Sequence, residues 1–238
     1  TPYSRGADGR AVLRSSIREY LCSIAMEGLN IPTTEALAIV ASDTDVYREH
    51  VESGAIVTRV AKSHIRIGHF ELFASRGQTA EVKKLADFVI DHYYPQLKGK
   101  DSYLQLFKTV IHSTAVMIAR WQAQGFAHGV MNSDNMSILG LTIDYGPFSF
   151  METYNPSFIC NHSDHQGRYS FERQPSVALW NLDRLANAIR SLIDETHLKD
   201  ALAEYEGFLV KEYSALMRQK FGLVEVNEDD SKLVNDYL

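Results

Sequence analysis

The sequence predicts an α+β protein in which a small mixed segment precedes a longer, mostly helical one. Two features lead to this prediction. Runs that read as strands lie in the first quarter of the chain, at 36–41 and 55–60. Apolar residues then recur at helical spacing over long stretches, the longest of which covers residues 103–124. Strands grouped before helices, rather than alternating with them, are typical of α+β proteins.

The first predicted helix covers residues 10–29, where Leu13, Ile17, Leu21 and Ile24 follow helical spacing. The two predicted strands come next, and we expect this part of the chain to behave as one small lobe. The breaks expected within it are the helix stop Asn30-Ile31-Pro32, a turn at 42–45 and a break at 50–54.

The remainder of the chain is predicted to be helical on both sides of a polar segment. Asp101-Ser102 precedes the longest helix and Gly125 ends it, as expected for the two ends of a helix. Pro175 is well placed to begin another helix, because its missing N–H costs nothing in the first turn. The helices predicted here are 79–92, 103–124, 175–194 and 198–221, with an acidic turn at 227–230.

Two short polar segments, His128–Asn135 and Asp144-Tyr145-Gly146, are the most distinctive feature of the sequence. Between them, the apolar residues around Gly140 predict a hairpin of two short strands, which would bring Asn135 and Asp144 together. An amide oxygen beside a carboxylate oxygen suits Mg²⁺, a hard cation that leaves its other positions to water and phosphate. The alternative is a plain turn at Asp134-Asn135, since both residue types favour turns.

This order of residues resembles the active centre of protein-kinase-like phosphotransferases, in which a loop asparagine and the aspartate of an Asp-Phe-Gly-type motif hold the metal. His128 and Gly129 are in place, and Asn135 has the expected offset. The position of the usual base is Val130, which cannot accept a proton. Asp134 is the nearest replacement carboxylate, so the pattern predicts altered chemistry or a dead enzyme.

We expect two lobes, residues 1–62 and residues 63–238. The charged residues near the boundary between them have two interpretations. Arg59 and Arg66 could clamp phosphate oxygens bidentately, or could form surface ion pairs. Glu19 lies on the first predicted helix. It is either an exposed charge or the helix glutamate that pairs with a phosphate-binding lysine in a kinase-like lobe.

Composition excludes some partners. The net charge of −6 and the pI of about 5.8 argue against nucleic acid and against an anionic membrane surface, because both need basic patches. No apolar run approaches the roughly 18 residues of a membrane span. Of the two cysteines, Cys22 is predicted to be a small packed hydrophobic residue, and Cys160 a thiol in a polar loop.

Five segments closely resemble the selenoprotein O family, namely 8–19, 58–61, 68–71, 126–150 and 161–169. The similarity covers most of the chain to about residue 190. It implies a kinase-like fold and a protein adenylyltransferase, which moves AMP from ATP to Ser, Thr or Tyr hydroxyls of other proteins. In that family ATP binds in an inverted orientation that presents the α-phosphate.

The resemblance also implies roles for particular residues. Asp134 would be the proton acceptor, and Asn135 and Asp144 would hold Mg²⁺, or Mn²⁺ in its place. Glu19 would be the helix partner of the lysine. The nucleotide contacts implied are Asp8, Gly9, Arg59, Arg66 and Asp144, and Cys160 matches a cysteine implied to form a redox-regulatory disulfide in the complete protein.

The family's Gly-rich segment and phosphate-binding lysine would precede Thr1, and its C-terminal region would follow this chain. We therefore expect a fragment that is weakly active or inactive when isolated. The expected compartment is the cytoplasm for a bacterial source and the mitochondrion for a eukaryotic one. Two alternative functions are a kinase-type phosphotransferase and a catalytically dead pseudokinase scaffold.

Overall fold

The structure, a computed structural model, describes Gly6 and residues 8–238 and confirms the α+β class. The sequence also predicts a polar loop over residues 1–9, of which residues 1–5 and 7 lie outside the described residues. The strands are β1 (Ala11–Val12), β2 (Glu35–Tyr47), β3 (Val51–Val60), β4 (Phe126–Ala127) and β5 (Ser149–Phe150). The helices are α1 (Leu13–Gly28), α2 (Ile67–Ser75), α3 (Thr79–Tyr93), α4 (Ser102–Gln124), α5 (Gln174–Ile189), α6 (Glu195–Ala203), α7 (Tyr205–Phe221) and α8 (Asp230–Tyr237).

The first three strands form an antiparallel sheet in the order β1-β3-β2, and α1 packs on β2 and β3. Both predicted strands exist, but the expected turn at 42–45 was wrong. β2 runs through it, and a register shift between Ser42 and Asp45 absorbs the irregular residues as a bulge. The break expected at 50–54 lies earlier, at 48–50 between the two strands, since β3 already begins at Val51.

Helix α1 confirms the predicted helix, but not the face that the apolar spacing suggested would be buried. Ile17, Leu21 and Ile24 are 44%, 60% and 49% exposed. The side chains buried along the helix are instead Ser16, Cys22, Ser23 and Met26. The apolar spacing therefore identified the helix without identifying its buried side.

The helical part is organised around α4, which packs against α5, α6 and α7. Its buried side includes Phe107, Ile111, Ile118 and Trp121. The helix ends as predicted, with Gly125 in the left-handed conformation at φ 66°. Asp101 precedes it without a side-chain cap. Within the described residues, no helix combines the length and apolarity needed to cross a bilayer.

Two predicted helical boundaries moved. The helix expected to reach residue 194 ends as α5 at Ile189, and the helix expected over 198–221 is two helices, α6 and α7, which meet at Glu204. Helix α2, in contrast, was not predicted and follows the boundary expected between the two lobes. Its presence matters for the site, because α2 packs on both α5 and the short turn that carries Asp134.

The predicted hairpin around Gly140 was wrong, because its two halves pair with other segments. Ser137 bridges to Arg66, in front of α2, and Thr142 bridges to Thr33, in front of β2. The backbone hydrogen bonds follow the same partners: Ile138 N donates to Ile65 O at 3.0 Å and Thr142 N to Pro32 O at 2.8 Å. A tight turn with Gly140 N on Ser137 O remains.

Candidate functional site

The polar loop that contains His128–Asn135 starts at β4 and ends in a single 3₁₀ turn, Ser133–Asn135. β4 pairs with β5, so the chain that follows Asp144 returns alongside the start of the loop. Asn135 Nδ2 donates to Val130 O at 2.9 Å. With its nitrogen committed to the backbone, the Asn135 amide offers its oxygen to a ligand, which is the atom that a hard cation needs.

His128 joins the two polar segments. Its Nε2 lies 2.8 Å from Ile143 O, the carbonyl just before Asp144, and Val130 N donates to its Nδ1 at 3.4 Å. Both contacts fit one neutral tautomer, in which Nε2 carries the hydrogen. The ring is buried and stacks on Trp121 with centroids 5.2 Å apart. Burial lowers the pKa of His128, while the Ile143 carbonyl and the Asp144 charge oppose that shift.

This lowered pKa predicts a pH-dependent stability. Below the unfolded-state pKa of about 6.5, the unfolded chain binds a proton that folded His128 resists. Stability should therefore fall as the pH drops from 6.5 towards 5, by up to about 1.4 kcal/mol per pH unit for this one group. Urea unfolding of the chain at pH 7 and pH 5.5 measures the difference.

His128→Gln should remove that component of the pH dependence, because glutamine does not titrate. His165→Gln is the control for the substitution itself, since His165 is exposed in the loop 151–170 and its replacement should leave the free energy of unfolding at pH 7 unchanged. Equal pH dependence in the His128→Gln variant and the unmodified chain would contradict the prediction.

Asp144 stands on a left-handed backbone, with φ 62°. Aspartate tolerates this region better than most residues, and Gly146 N donates back to Asp144 O at 3.0 Å to close the turn. The next residue, Tyr145, is buried against Phe126 and Phe148, and its hydroxyl hydrogen-bonds to that of Thr33. The turn thus anchors Tyr145 inward while Asp144 stays exposed.

Glu19 and Arg59 form an ion pair, with Arg59 Nη1 3.1 Å from Glu19 Oε1. Arg59 also donates to Thr34 O at 2.9 Å and lies over the Tyr145 ring at 5.1 Å. Burial raises the pKa of Glu19, Arg59 opposes that shift, and the negative charge of Asp144 adds to it. Glu19, Arg59 and Asp144 therefore share one electrostatic environment, which the sequence suggested only through separate motifs.

Two buried polar atoms near the turn at residues 133–135 lack a protein partner. They are Arg66 Nε and Asn132 Oδ1. Arg66 lies directly before α2 and bridges to Ser137, two residues after Asn135. An unpaired buried polar group costs about 1–3 kcal/mol, so such atoms often mark a place that a ligand or ion completes. The sequence pattern indicated Arg66, but nothing in the sequence marks Asn132.

Asp134 is exposed in the 3₁₀ turn and packs directly on Gly68 of α2. A Cβ atom placed on Gly68 would lie 2.2 Å from Asp134 Oδ1 and 3.3 Å from Asp134 Cα. A side chain at residue 68 would therefore displace the Asp134 carboxylate from its present place. In the sequence, Gly68 is only one residue of the family segment 68–71. Its contact with Asp134 becomes visible only in the three-dimensional structure.

Asp8 pairs with Arg48, 2.8 Å away, and accepts Arg10 N at 3.0 Å. The hydrogen bond from Arg48 is the main cause that lowers the pKa of Asp8 to about 2. Arg48 follows β2 at the turn into β3, whereas Arg59 lies at the far end of β3, about 26 Å along an extended strand. Contacts of Asp8 and of Gly9, whose φ is 68°, with a nucleotide remain predictions.

Cys160 contacts the polar loop from outside. Its thiol donates to Ala127 O at 3.4 Å, and a Cβ on Gly129 would lie 2.7 Å from its sulfur. Burial raises the pKa of Cys160 to about 11 and that of Cys22 to about 12. Cys22 is buried in the core, as predicted. The redox role of Cys160 remains a prediction.

The donor set can be tested against the metal that the sequence analysis predicted. Across Gly6 and residues 8–238, no group of three or more His, Cys, Asp and Glu side chains is arranged to hold a metal ion. Mg²⁺ on a nucleotide does not need one, because one or two protein oxygens suffice when phosphates and water supply the rest. The Asn135 amide oxygen and the exposed Asp144 carboxylate fit that requirement.

Comparison with known proteins identifies the class. A family model described as protein adenylyltransferase SelO matches residues 1–238, and the chain belongs to this family. The chain is 58% identical over 236 residues to protein nucleotidyltransferase YdiU of Vibrio vulnificus (strain YJ016), covering 99% of this chain and 48% of that protein.

Similar relatives occur in two other bacteria. Proteins of the same name are 56% identical over 239 residues in Erwinia tasmaniensis and 56% identical over 236 residues in Enterobacter sp. (strain 638). These matches cover 100% and 99% of this chain, and 50% and 49% of the relatives. The chain therefore spans about half the length of the curated relatives that it matches, and the resemblance stated from the sequence is confirmed.

Proposed function

We propose that the complete protein transfers AMP from ATP to a Ser, Thr or Tyr hydroxyl of other proteins. Membership of the SelO family and the nucleotidyltransferase name of the relatives support this proposal. We further propose a kinase-like arrangement, with a small lobe in residues 1–62 and a helical lobe in residues 63–238. The three-stranded sheet with α1 fits the first, and the helices around α4 fit the second.

The observation that carries the proposal is the His128 bridge described above. Through its bond to Ile143 O, the loop that bears Asn135 is tied to the turn that bears Asp144. The two oxygen ligands proposed for Mg²⁺ thus belong to segments that the structure joins directly. At the same time, the usual base position in that loop is occupied by Val130.

Asn135 and Asp144 would hold Mg²⁺ between them. When bound, the ion would help to neutralise phosphate charge as it develops. Arg66, with its unpaired buried Nε, would bind a phosphate oxygen. Arg59 would exchange part of its pairing with Glu19 for the nucleotide. Two guanidiniums near the phosphates suit a reaction in which pyrophosphate, a highly charged group, departs.

Asp134 would act as the proton acceptor. In the proposed step, the substrate hydroxyl oxygen forms a bond to the α-phosphorus, the bond from that phosphorus to pyrophosphate breaks, and the hydroxyl proton passes to the Asp134 carboxylate. Asp134 is exposed, so a protein hydroxyl can reach it. Val130 cannot serve in this way, and neutral His128 is buried with both nitrogens hydrogen-bonded.

Labelled ATP tests the transfer directly. The full-length gene product is incubated with a hydroxyl-bearing protein and ATP labelled at either the α- or the γ-phosphorus. Label on protein from the α form alone is the expected result. Label from the γ form alone would instead support the kinase-type alternative, which His128-Gly129 and Asp144 favour. Nucleotide binding with no label from either form would support the dead scaffold.

Asp144→Asn should lower α-label incorporation by at least about 100-fold, because an amide carries no charge to hold the cation. Asp91→Asn is the control. Asp91 pairs with Lys98 at 2.7 Å on an exposed part of α3, so transfer should be unchanged. Undiminished transfer in the Asp144→Asn variant would contradict the assigned role.

A further inference from the structure

Side chains donate to five of the six carbonyls from Phe126, in β4, to Met131. This part of the polar loop continues directly into residues 132–135. The donors and acceptors are Gln174 Nε2 to Phe126 O at 2.9 Å, Cys160 Sγ to Ala127 O at 3.4 Å, Asn161 Nδ2 to Gly129 O at 3.0 Å, Asn135 Nδ2 to Val130 O at 2.9 Å and Asn181 Nδ2 to Met131 O at 2.9 Å.

Two of these side chains, Gln174 and Asn181, belong to α5 and are 0% exposed. They are seven residues apart, which is about two turns, so they lie on the same face of the helix. Gln174 makes two hydrogen bonds near the start of the loop. Its Nε2 donates to Phe126 O, and its Oε1 accepts a bond from His128 N at 2.9 Å. Asn181 holds the other end, at the carbonyl of Met131, two residues before the turn that carries Asp134.

Asn181 makes hydrogen bonds that an apolar side chain in the core could not make. Its Nδ2 donates both to Met131 O and, at 3.0 Å, to Val177 O in its own helix. Its Oδ1 is buried without a partner, which costs free energy that an apolar side chain would avoid. What asparagine supplies here, and leucine of similar size does not, is the donor to Met131.

We propose that Asn181 is a positioning residue for the transfer reaction, acting through the backbone of the polar loop. Its amide fixes Met131 O, and this fixes the start of the turn from which Asp134 and Asn135 project. This role rests on the proposed function, because Asn181 can position the loop for AMP transfer only if the protein carries out that reaction. Asn181 itself touches no reacting atom.

Asn187 provides a matched control in the same helix. Its Nδ2 donates to Asp183 O at 2.9 Å, which is the same four-residue bond that Asn181 makes to Val177 O. Asn187 is exposed and has no bond to the polar loop. Replacing each asparagine by leucine therefore removes the same bond within the helix. Asn187→Leu also removes an exposed bond to Asp183 Oδ2 at 3.1 Å, whereas only Asn181→Leu removes the bond to Met131.

The experiment combines hydrogen exchange with kinetics on the full-length gene product. Asn181→Leu should speed backbone exchange in peptides that cover 128–136 by about tenfold, the change that 1.4 kcal/mol produces. The kcat for α-label transfer should fall about 10- to 100-fold, with KM for ATP within about threefold, because the carboxylate is misplaced while the nucleotide contacts remain. Asn187→Leu should change each quantity by less than about twofold.

The outcomes separate the two proposals. Equal exchange and equal kcat in the two leucine variants would overturn the role of Asn181. Faster loop exchange in Asn181→Leu, in a protein that transfers no AMP even when unmodified, would leave the loop anchor standing and reject the proposed function. If Asn181→Leu does not fold, Asn181→Ser, whose hydroxyl is too short to reach Met131 O, is measured against Asn187→Ser under the same criteria.

Discussion

Gly68→Ala is expected to reduce AMP transfer by about 100-fold while leaving the fold intact, since a displacement of about 1 Å in a reacting group can cost that much. The new methyl group would overlap Asp134 Oδ1, 2.2 Å from the Cβ position, and press on Asp134 Cγ at 3.1 Å. The overlap falls on the end of the Asp134 side chain, so it is relieved when that carboxylate leaves its present place, at the expense of the proposed proton acceptor.

Gly207→Ala is the control for this substitution. Gly207 lies within α7 with nothing within 4 Å of a Cβ, so alanine should add about 0.5–1 kcal/mol of stability without affecting transfer. Thermal unfolding and α-label incorporation are measured for both variants. Full transfer activity in Gly68→Ala would mean that the carboxylate of Asp134 does not need its present place.

Gly140→Ala should instead damage the fold itself. Gly140 has φ +67°, and a Cβ there would lie 2.7 Å from Ser113 Cβ and 2.8 Å from the Ser113 carbonyl carbon and oxygen. Those last two atoms belong to the backbone of α4, the central helix, and cannot rotate away. The left-handed conformation and the overlap together should cost about 3 kcal/mol or more.

Gly222→Ala separates the two contributions. Gly222 also has φ +67°, but nothing lies within 4 Å of its Cβ position, so only the backbone cost of about 1–2 kcal/mol remains. Urea unfolding of both variants gives the difference in free energy. Equal losses would show that α4 does not approach Gly140 as closely as the structure has it.

The sequence predicted the elements whose signal is local. The long helix α4 shows helical spacing throughout, and Gly125 ends it because glycine adopts the left-handed conformation freely. The same reasoning gave α1 and α3 within a few residues. It did not give the buried side of α1, because Ile17 and Leu21 have the right spacing but lie on the exposed side of the helix.

The hairpin around Gly140 shows where local pattern stops being informative. Alternating apolar residues beside a glycine describe a strand and a turn but do not name the partner strand. In the fold, Ser137 and Thr142 bridge to Arg66 and Thr33, which are 71 and 109 residues away in sequence. The prediction assumed that each half of the segment pairs with the other half. The actual partners are two segments that are distant in sequence.

The candidate site was predicted in part for a similar reason. Asp134, Asn135 and Asp144 were recognisable because their spacing along the chain is short and regular. Gly68, Gln174 and Asn181 were not, because a glycine or a buried amide has no distinctive pattern and acquires its role only through contacts made across the fold. The ion pair of Glu19 with Arg59 also required the sheet and α1 to be assembled first.

The two tryptophans differ sharply in environment, and this gives the protein an optical property. Trp121 is fully buried, stacks on His128 and donates to Thr142 Oγ1 at 2.9 Å. Trp180 is 44% exposed and lies against the guanidinium of Arg168 at 4.7 Å. We therefore expect Trp121, away from water, to emit at shorter wavelengths than the water-exposed Trp180. The short-wavelength part of the emission originates beside the residue that joins the two segments of the site.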